Sequence, residues 1–176
     1  MRLNTEHIIG KGGYSDVFSI DERVYKLFIS GAHPRCNQHG RGPLEDELRT
    51  NQFNSEFDAW EIASKSSRLV ACVPRFYGRV KIDLVEDKNQ RNLSNNYLLD
   101  CCLSIERIRL DDVKFDIIKS RFPWIEATFR QEGINHTRDM SAFLLDNGNK
   151  IKLIDFAVED AYFNTELTWI ASGKLI

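Results

Sequence analysis

The chain has 176 residues, with 24 Lys and Arg against 26 Asp and Glu, 42% hydrophobic residues and 11% aromatic ones. That length and apolar content suit one domain, or one domain with two lobes, and exclude wholesale disorder. A net charge of -2 with mixed signs argues against a nucleic-acid binder, and no apolar run approaches the ~20 residues that cross a bilayer.

The first residues, Met1-Arg2-Leu3-Asn4-Thr5-Glu6, lack the apolar stretch of a cleaved export signal. His7-Ile8-Ile9, Val17-Phe18-Ser19-Ile20 and Val24-Tyr25-Lys26-Leu27-Phe28 are separated by Gly10-Lys11-Gly12-Gly13 and Asp21-Glu22-Arg23, which predicts three short antiparallel strands joined by tight turns. Residues 30–55 carry Gly31, Pro34, Gly40, Gly42 and Pro43, so a long loop is expected there. Within it, Gly31 to Ser55 reads as a mobile insertion exposing Arg35 and Arg41. Phe57, Trp60, Ile62 and Ala63 predict a helix over 54–64 with Asn54 or Ser55 as its cap.

Strands are expected again at 76–82 and 97–108, around a polar turn at 87–96. The spacing of Val113, Ile117, Ile118, Trp124, Ile125 and Phe129 predicts a helix over 112–132, which Pro123 can split. Phe143-Leu144-Leu145 and Ile151 to Phe156 flank Asp146-Asn147-Gly148-Asn149, a hairpin signal. The order of elements is that of an α+β fold. Cys36, Cys72, Cys101 and Cys102 form no Cys-x-x-Cys pair and read as reduced, core-filling thiols. Cys36 and His39 are too few for a metal site.

Chemistry concentrates in four places. The turn Gly10-Lys11-Gly12-Gly13 can bring backbone N–H groups to phosphate oxygens without side-chain collision. Lys26 stands in an apolar strand, where an ammonium is costly unless it meets anions. Glu56 and Glu61 on the following helix, with Glu45 and Glu47 before it, are the carboxylates able to pair with that lysine. Asp155 ends an apolar strand, where a magnesium ligand fits.

This set, in this order, resembles the protein-kinase fold. Gly10, Gly12 and Val17 match the Gly-rich loop, with Ser15 at the third glycine. Val24-Tyr25-Lys26 matches the lysine strand, and Asp155-Phe156-Ala157 matches Asp-Phe-Gly with alanine last. The resemblance implies a bilobal fold with a strongly reduced C-terminal lobe, residues 1–109 forming the nucleotide lobe and 110–176 the remainder. ATP and Mg²⁺ are then the cofactors. Gly10, Lys11, Gly12 and Gly13 would cradle phosphates, and Val17 and Val24 would roof the adenine. Backbone groups of Glu106 to Ile108 would meet its edge. Lys26 would orient phosphates, Glu56 would hold Lys26, and Asp155 would bind the metal.

Only 21 residues follow Asp155. This truncation resembles the minimal kinases that pathogenic bacteria deliver into host cells, notably the type III effectors that phosphorylate the host chaperone HSP90. A protein substrate such as that chaperone, a monomeric state and secretion into the host cytoplasm follow from the resemblance; without an effector role, the cytoplasm is expected. Two registers remain for the catalytic loop. A gapless count back from Asp155 puts Thr137 at the catalytic position and Ala142 at the metal-binding asparagine. Anchoring on His136-Thr137-Arg138-Asp139 makes Asp139 the base and puts Leu144 at the asparagine. The first register describes a pseudokinase acting as a nucleotide-binding or scaffold module, the second a kinase. A small-molecule phosphotransferase of the aminoglycoside-kinase kind ranks third, since its acceptor pocket needs a larger second lobe.

Overall fold

The structure, a computed structural model, describes residues 1–36, 44–108, 123–135, 140–145 and 150–156. Its elements are β1 (Arg2–Asn4), β2 (Ile8–Lys11), β3 (Ser15–Ile20), β4 (Arg23–Ile29), α1 (Leu44–Lys65), β5 (Phe76–Arg79), β6 (Leu84–Glu86), β7 (Tyr97–Glu106), α2 (Trp124–Gln131), β8 (Ser141–Leu145) and β9 (Lys150–Ile154). The fold is α+β, as expected. Two compact units emerge: Met1–Asn54 with Tyr77–Arg107, and Ser55–Phe76 with the residues from Ile108 onward. Residues 55–76 therefore group with the second unit, and α1 contributes to both. Among the described residues, no helix is long and apolar enough to cross a membrane.

The first unit is built on a five-stranded sheet in the order β2-β3-β4-β7-β5. The β2–β3, β3–β4 and β4–β7 pairs are all antiparallel, so the three N-terminal strands pair as their turn signals predict. Strand alternation sorts their side chains. Phe18, Tyr25, Leu27, Ile29 and Cys102 meet Leu3, Ile82, Val85 and Tyr97 in one apolar cluster. Leu3 and Val85 lie on β1 and β6, which form a separate parallel pair. These two strands have three residues each, too short to show a period in the sequence. On the other face of β4, Phe28 packs edge-on against Phe53 of α1, with ring centroids 5.6 Å apart.

The loop expected over 30–55 is corrected. Helix α1 begins at Leu44, ten residues before the predicted cap at Asn54. Its buried positions 45, 48, 49, 52, 53 and 56 follow helical spacing, but Glu45, Arg49, Gln52 and Glu56 hold four of them. Polar residues on the inward face conceal the apolar stripe on which the pattern reading depends. Residues 31–36 form a tied turn rather than an open insertion. Ser30 N–H donates to Asn96 O at 2.9 Å, Ser30 Oγ to Asn95 O at 2.6 Å, and Gly31 N–H to Asp46 Oδ1 at 2.6 Å. Arg35, expected to be exposed, is ion-paired with the buried Asp16. Arg41 lies outside the described residues.

The second unit gathers aromatic rings around the C-terminal half of α1. Trp60 stacks on Phe76 at 5.6 Å and packs against Phe156 at 4.7 Å, and Phe156 meets Phe129 of α2 at 5.2 Å. Strands β8 and β9 pair antiparallel, as the Asn-Gly signal implies. Strand β9 is fastened to residues 72–73, because Leu153 N–H donates to Cys72 O at 2.8 Å and Lys152 Nζ to Val73 O at 2.6 Å. Of the helix expected over 112–132, the described part is α2, which starts directly after Pro123. The four cysteines are free thiols, and burial pushes the pKa of each upward, which favours the protonated form.

If α1 packs from its first turn, Leu48→Ala should cost about 2–5 kcal/mol by urea unfolding, the usual range for a buried leucine. The exposed Asn54→Ala should change stability by less than about 0.5 kcal/mol. An unchanged midpoint for Leu48→Ala would restore the loop reading.

Candidate functional site

The glycine turn joins β2 to β3. Gly10 lies opposite Val17 and Lys11 opposite Asp16. The Gly12 N–H donates to Ser15 O at 2.8 Å and closes the turn, so this amide is committed within the chain. A Cβ built on Gly13 would meet nothing within 4 Å, and one on Gly12 would come only to 3.5 Å from Ser15 O. Neither glycine has a positive φ. Internal packing therefore does not demand glycine at 12 or 13, and open space lies beside Gly13.

A single cross-strand row continues from this turn into the sheet. Gly10 pairs with Val17, Val17 with Lys26, and Lys26 with Leu103. Directly opposed residues share a sheet face, so the row places Lys26 between two apolar neighbours. Val24, two residues before Lys26, is on the same face and pairs with Ser19 and Ile105. Lys26 is half-buried, with Nζ 5.9 Å from the centroid of the Phe28 ring. Four predicted residues, Gly10, Val17, Val24 and Lys26, are thus brought onto one surface. At the end of β7, Glu106 is half-buried opposite Arg23, and Arg107 N–H donates to Glu22 O at 2.9 Å. Ile108, also half-buried, groups with the second unit.

In the second unit, Glu56 is 1% exposed, and Trp60 Nε1 donates to its Oε1 at 3.4 Å. The alternative glutamates have other positions. Glu61 is partly exposed and paired with Lys65, and Glu45 is buried against Arg49 at 3.0 Å. Glu47 is exposed on the first turn of α1. Asp155 follows β9 with φ 56°, a left-handed backbone that non-glycine residues seldom adopt. The next residue, Phe156, is fully buried against Trp60 and Phe129. Glu56 and the Asp155-Phe156 step are therefore linked through one side chain, Trp60, which stands a helical turn after Glu56.

Asp139, the proposed base, lies outside the described residues, as do His136, Thr137 and Ala157. Ala142, the gapless position for the asparagine, is 3% exposed in β8 opposite Leu153. Among the described residues, no group of three or more His, Cys, Asp or Glu could hold a metal. A magnesium ion commonly takes only one or two carboxylates, with waters and substrate phosphates completing its shell, so Asp155 fits that donor set. The sequence reading missed three residues at the glycine turn: Asp16, Arg49 and Tyr97. Their contacts join distant segments and leave no periodic trace.

A strained residue kept for its carboxylate should be separable from stability. Asp155→Gly removes the left-handed penalty, so thermal unfolding should show a protein unchanged to about 1 kcal/mol more stable. Destabilisation beyond about 1 kcal/mol would mean that the carboxylate serves the fold instead.

No protein-family model, no curated protein and no solved structure matches the chain.

Proposed function

We propose that this chain is a minimal protein kinase, a Mg-ATP-dependent enzyme that transfers a γ-phosphoryl group to a protein hydroxyl. The observation that carries the reading is the row Gly10–Val17–Lys26–Leu103, which sets a half-buried lysine on an apolar sheet face in line with a glycine turn. An ammonium held there suits an anion, and a glycine turn offers backbone donors to the same kind of ligand. The open space beside Gly13 leaves room for phosphate oxygens.

Each residue then has a role. Lys26 orients the phosphates, and Val17 and Val24 supply an apolar roof for the base. Glu56, a buried carboxylate on α1, takes the part of the helix glutamate. Asp155 holds the metal, and its left-handed backbone is the kind of strain that concentrates at functional sites. Bound Mg²⁺ would supply charge neutralisation on the phosphates. Asp139 orients the acceptor hydroxyl and takes its proton. Such catalysis is mainly positioning and electrostatics. Under the effector reading, a host chaperone is one protein acceptor.

One observation favours a second reading. With Ala142 buried opposite Leu153, the gapless register offers no second metal ligand, as in a pseudokinase that holds nucleotide without transferring phosphate.

Incubation with γ-labelled ATP, Mg²⁺ and a protein acceptor tests the choice. The wild type should label the acceptor or itself. Lys26→Met and Asp155→Asn should each reduce the rate by about two orders of magnitude or more, with the fold retained. Stabilisation of the wild type by millimolar Mg-ATP without any transfer would select the scaffold reading. Neither stabilisation nor transfer would remove both.

A further inference from the structure

Three consecutive carbonyl groups of the glycine turn are held by the rest of the first unit. Arg35 Nη1 donates to Gly12 O at 2.5 Å, Arg49 Nη1 to Gly13 O at 2.9 Å, and Ile29 N–H to Tyr14 O at 3.0 Å. Each arginine is itself fixed at the other side of its guanidinium. Arg35 Nη2 donates to Asp16, a carboxylate 2% exposed that also accepts from Tyr97 Oη at 2.8 Å. Arg49 Nη2 lies 3.0 Å from Glu45 Oε2 and 3.6 Å from Cys36 Sγ, and its guanidinium sits 4.7 Å from the centroid of the Tyr14 ring.

We propose that Arg35 and Arg49 are positioning residues that hold the glycine turn in one preformed shape, so that the phosphates of a nucleotide meet a fixed cradle. This rests on the nucleotide-binding reading above. The argument begins with the peptide group, which is planar and trans, so its C=O and the following N–H point in opposite directions. Fastening Gly12 O to Arg35 therefore directs the Gly13 N–H away from Arg35. Fastening Gly13 O to Arg49 does the same for the Tyr14 N–H. A glycine-containing turn loses much backbone freedom when it orders, and two guanidinium anchors remove that freedom before any ligand arrives.

The charges support positioning over direct phosphate binding. The cation of Arg35 is balanced by Asp16 and that of Arg49 by Glu45, so both are spent within the protein. Arg49 also ties the turn to α1, the helix that carries Glu56 two turns further on. The glycine turn and the start of that helix thus behave as one body.

The test combines hydrogen exchange with kinetics on Arg35→Gln and Arg49→Gln. In nucleotide-free protein, the amides of residues 13–15 should exchange at least about tenfold faster in each variant, while those of β4 and β7 exchange as in the wild type. KM for ATP should rise about tenfold, with kcat changed less than about threefold and KM for the acceptor unchanged. Arg49 is 5% exposed; if its variant does not fold, Arg35→Gln, at a side chain 29% exposed, carries the same test. Unchanged exchange in the turn overturns the proposal, and if ATP affinity is nevertheless lost, the arginines are phosphate ligands. If the wild type binds no nucleotide, the function fails while the exchange arm still decides whether the arginines hold the turn.

Discussion

A lysine on an apolar sheet face is the constraint on which the rest of this structure depends. Lys26 is flanked across the ladder by Val17 and Leu103, and along its own strand by Val24 and Phe28. Its stem packs along that face while the side chain stays half-buried, with Nζ 5.9 Å from the centroid of the Phe28 ring. An alanine or valine there would satisfy the sheet. The glycine turn stands at the end of the same row. The sheet supplies the rigid mount, because β4 lies between β3 and β7 and cannot shift register without turning its opposite face, with Tyr25, Leu27 and Ile29, out of the core.

Around that mount, polar groups take over work usually left to apolar packing. The inward stripe of α1 is part carboxylate, guanidinium and amide, and Asp16 of β3 is buried with Arg35, Tyr97 and His33 around it. Burial pushes the Tyr97 phenol upward, reinforced by the Asp16 carboxylate, so it stays a hydroxyl donor. Burial and then the neighbouring Arg35 cation push His33 below its usual range, so it stays neutral at pH 7. The charge balance around Asp16 then rests on Arg35. Networks of this kind often contribute little net stability compared with apolar residues of the same shape, but they tolerate few alternative arrangements.

Legibility in the sequence followed the physics of each element. Strands β2, β3 and β4 were readable as apolar runs separated by Gly10 to Gly13 and Asp21 to Arg23, and β7 as an apolar run after the polar residues 87–96. The β8–β9 pair was readable from Asp146-Asn147-Gly148-Asn149. The parallel β1–β6 pair was not, since three residues carry no period and their partners lie more than 80 positions apart. The first turns of α1 were misread because Glu45, Arg49 and Gln52 occupy its inward positions. Lys26 and Asp155 stood out in the sequence because a charge in or beside an apolar strand is conspicuous. Glu56 is favoured over Glu61 by its place before Phe57, Trp60 and Ile62, and it is the more buried of the two. The arginine contacts to Gly12 and Gly13 were illegible, since an ion pair between residues 16 and 35 has no local signature.

The most direct test of the account is a crystal structure with a non-hydrolysable ATP analogue and Mg²⁺. The account predicts the triphosphate beside the Gly12 and Gly13 backbone, Lys26 Nζ within hydrogen-bond distance of its phosphate oxygens, and the metal on Asp155. Nucleotide bound elsewhere, or a lysine turned to solvent while the analogue is bound, would contradict it.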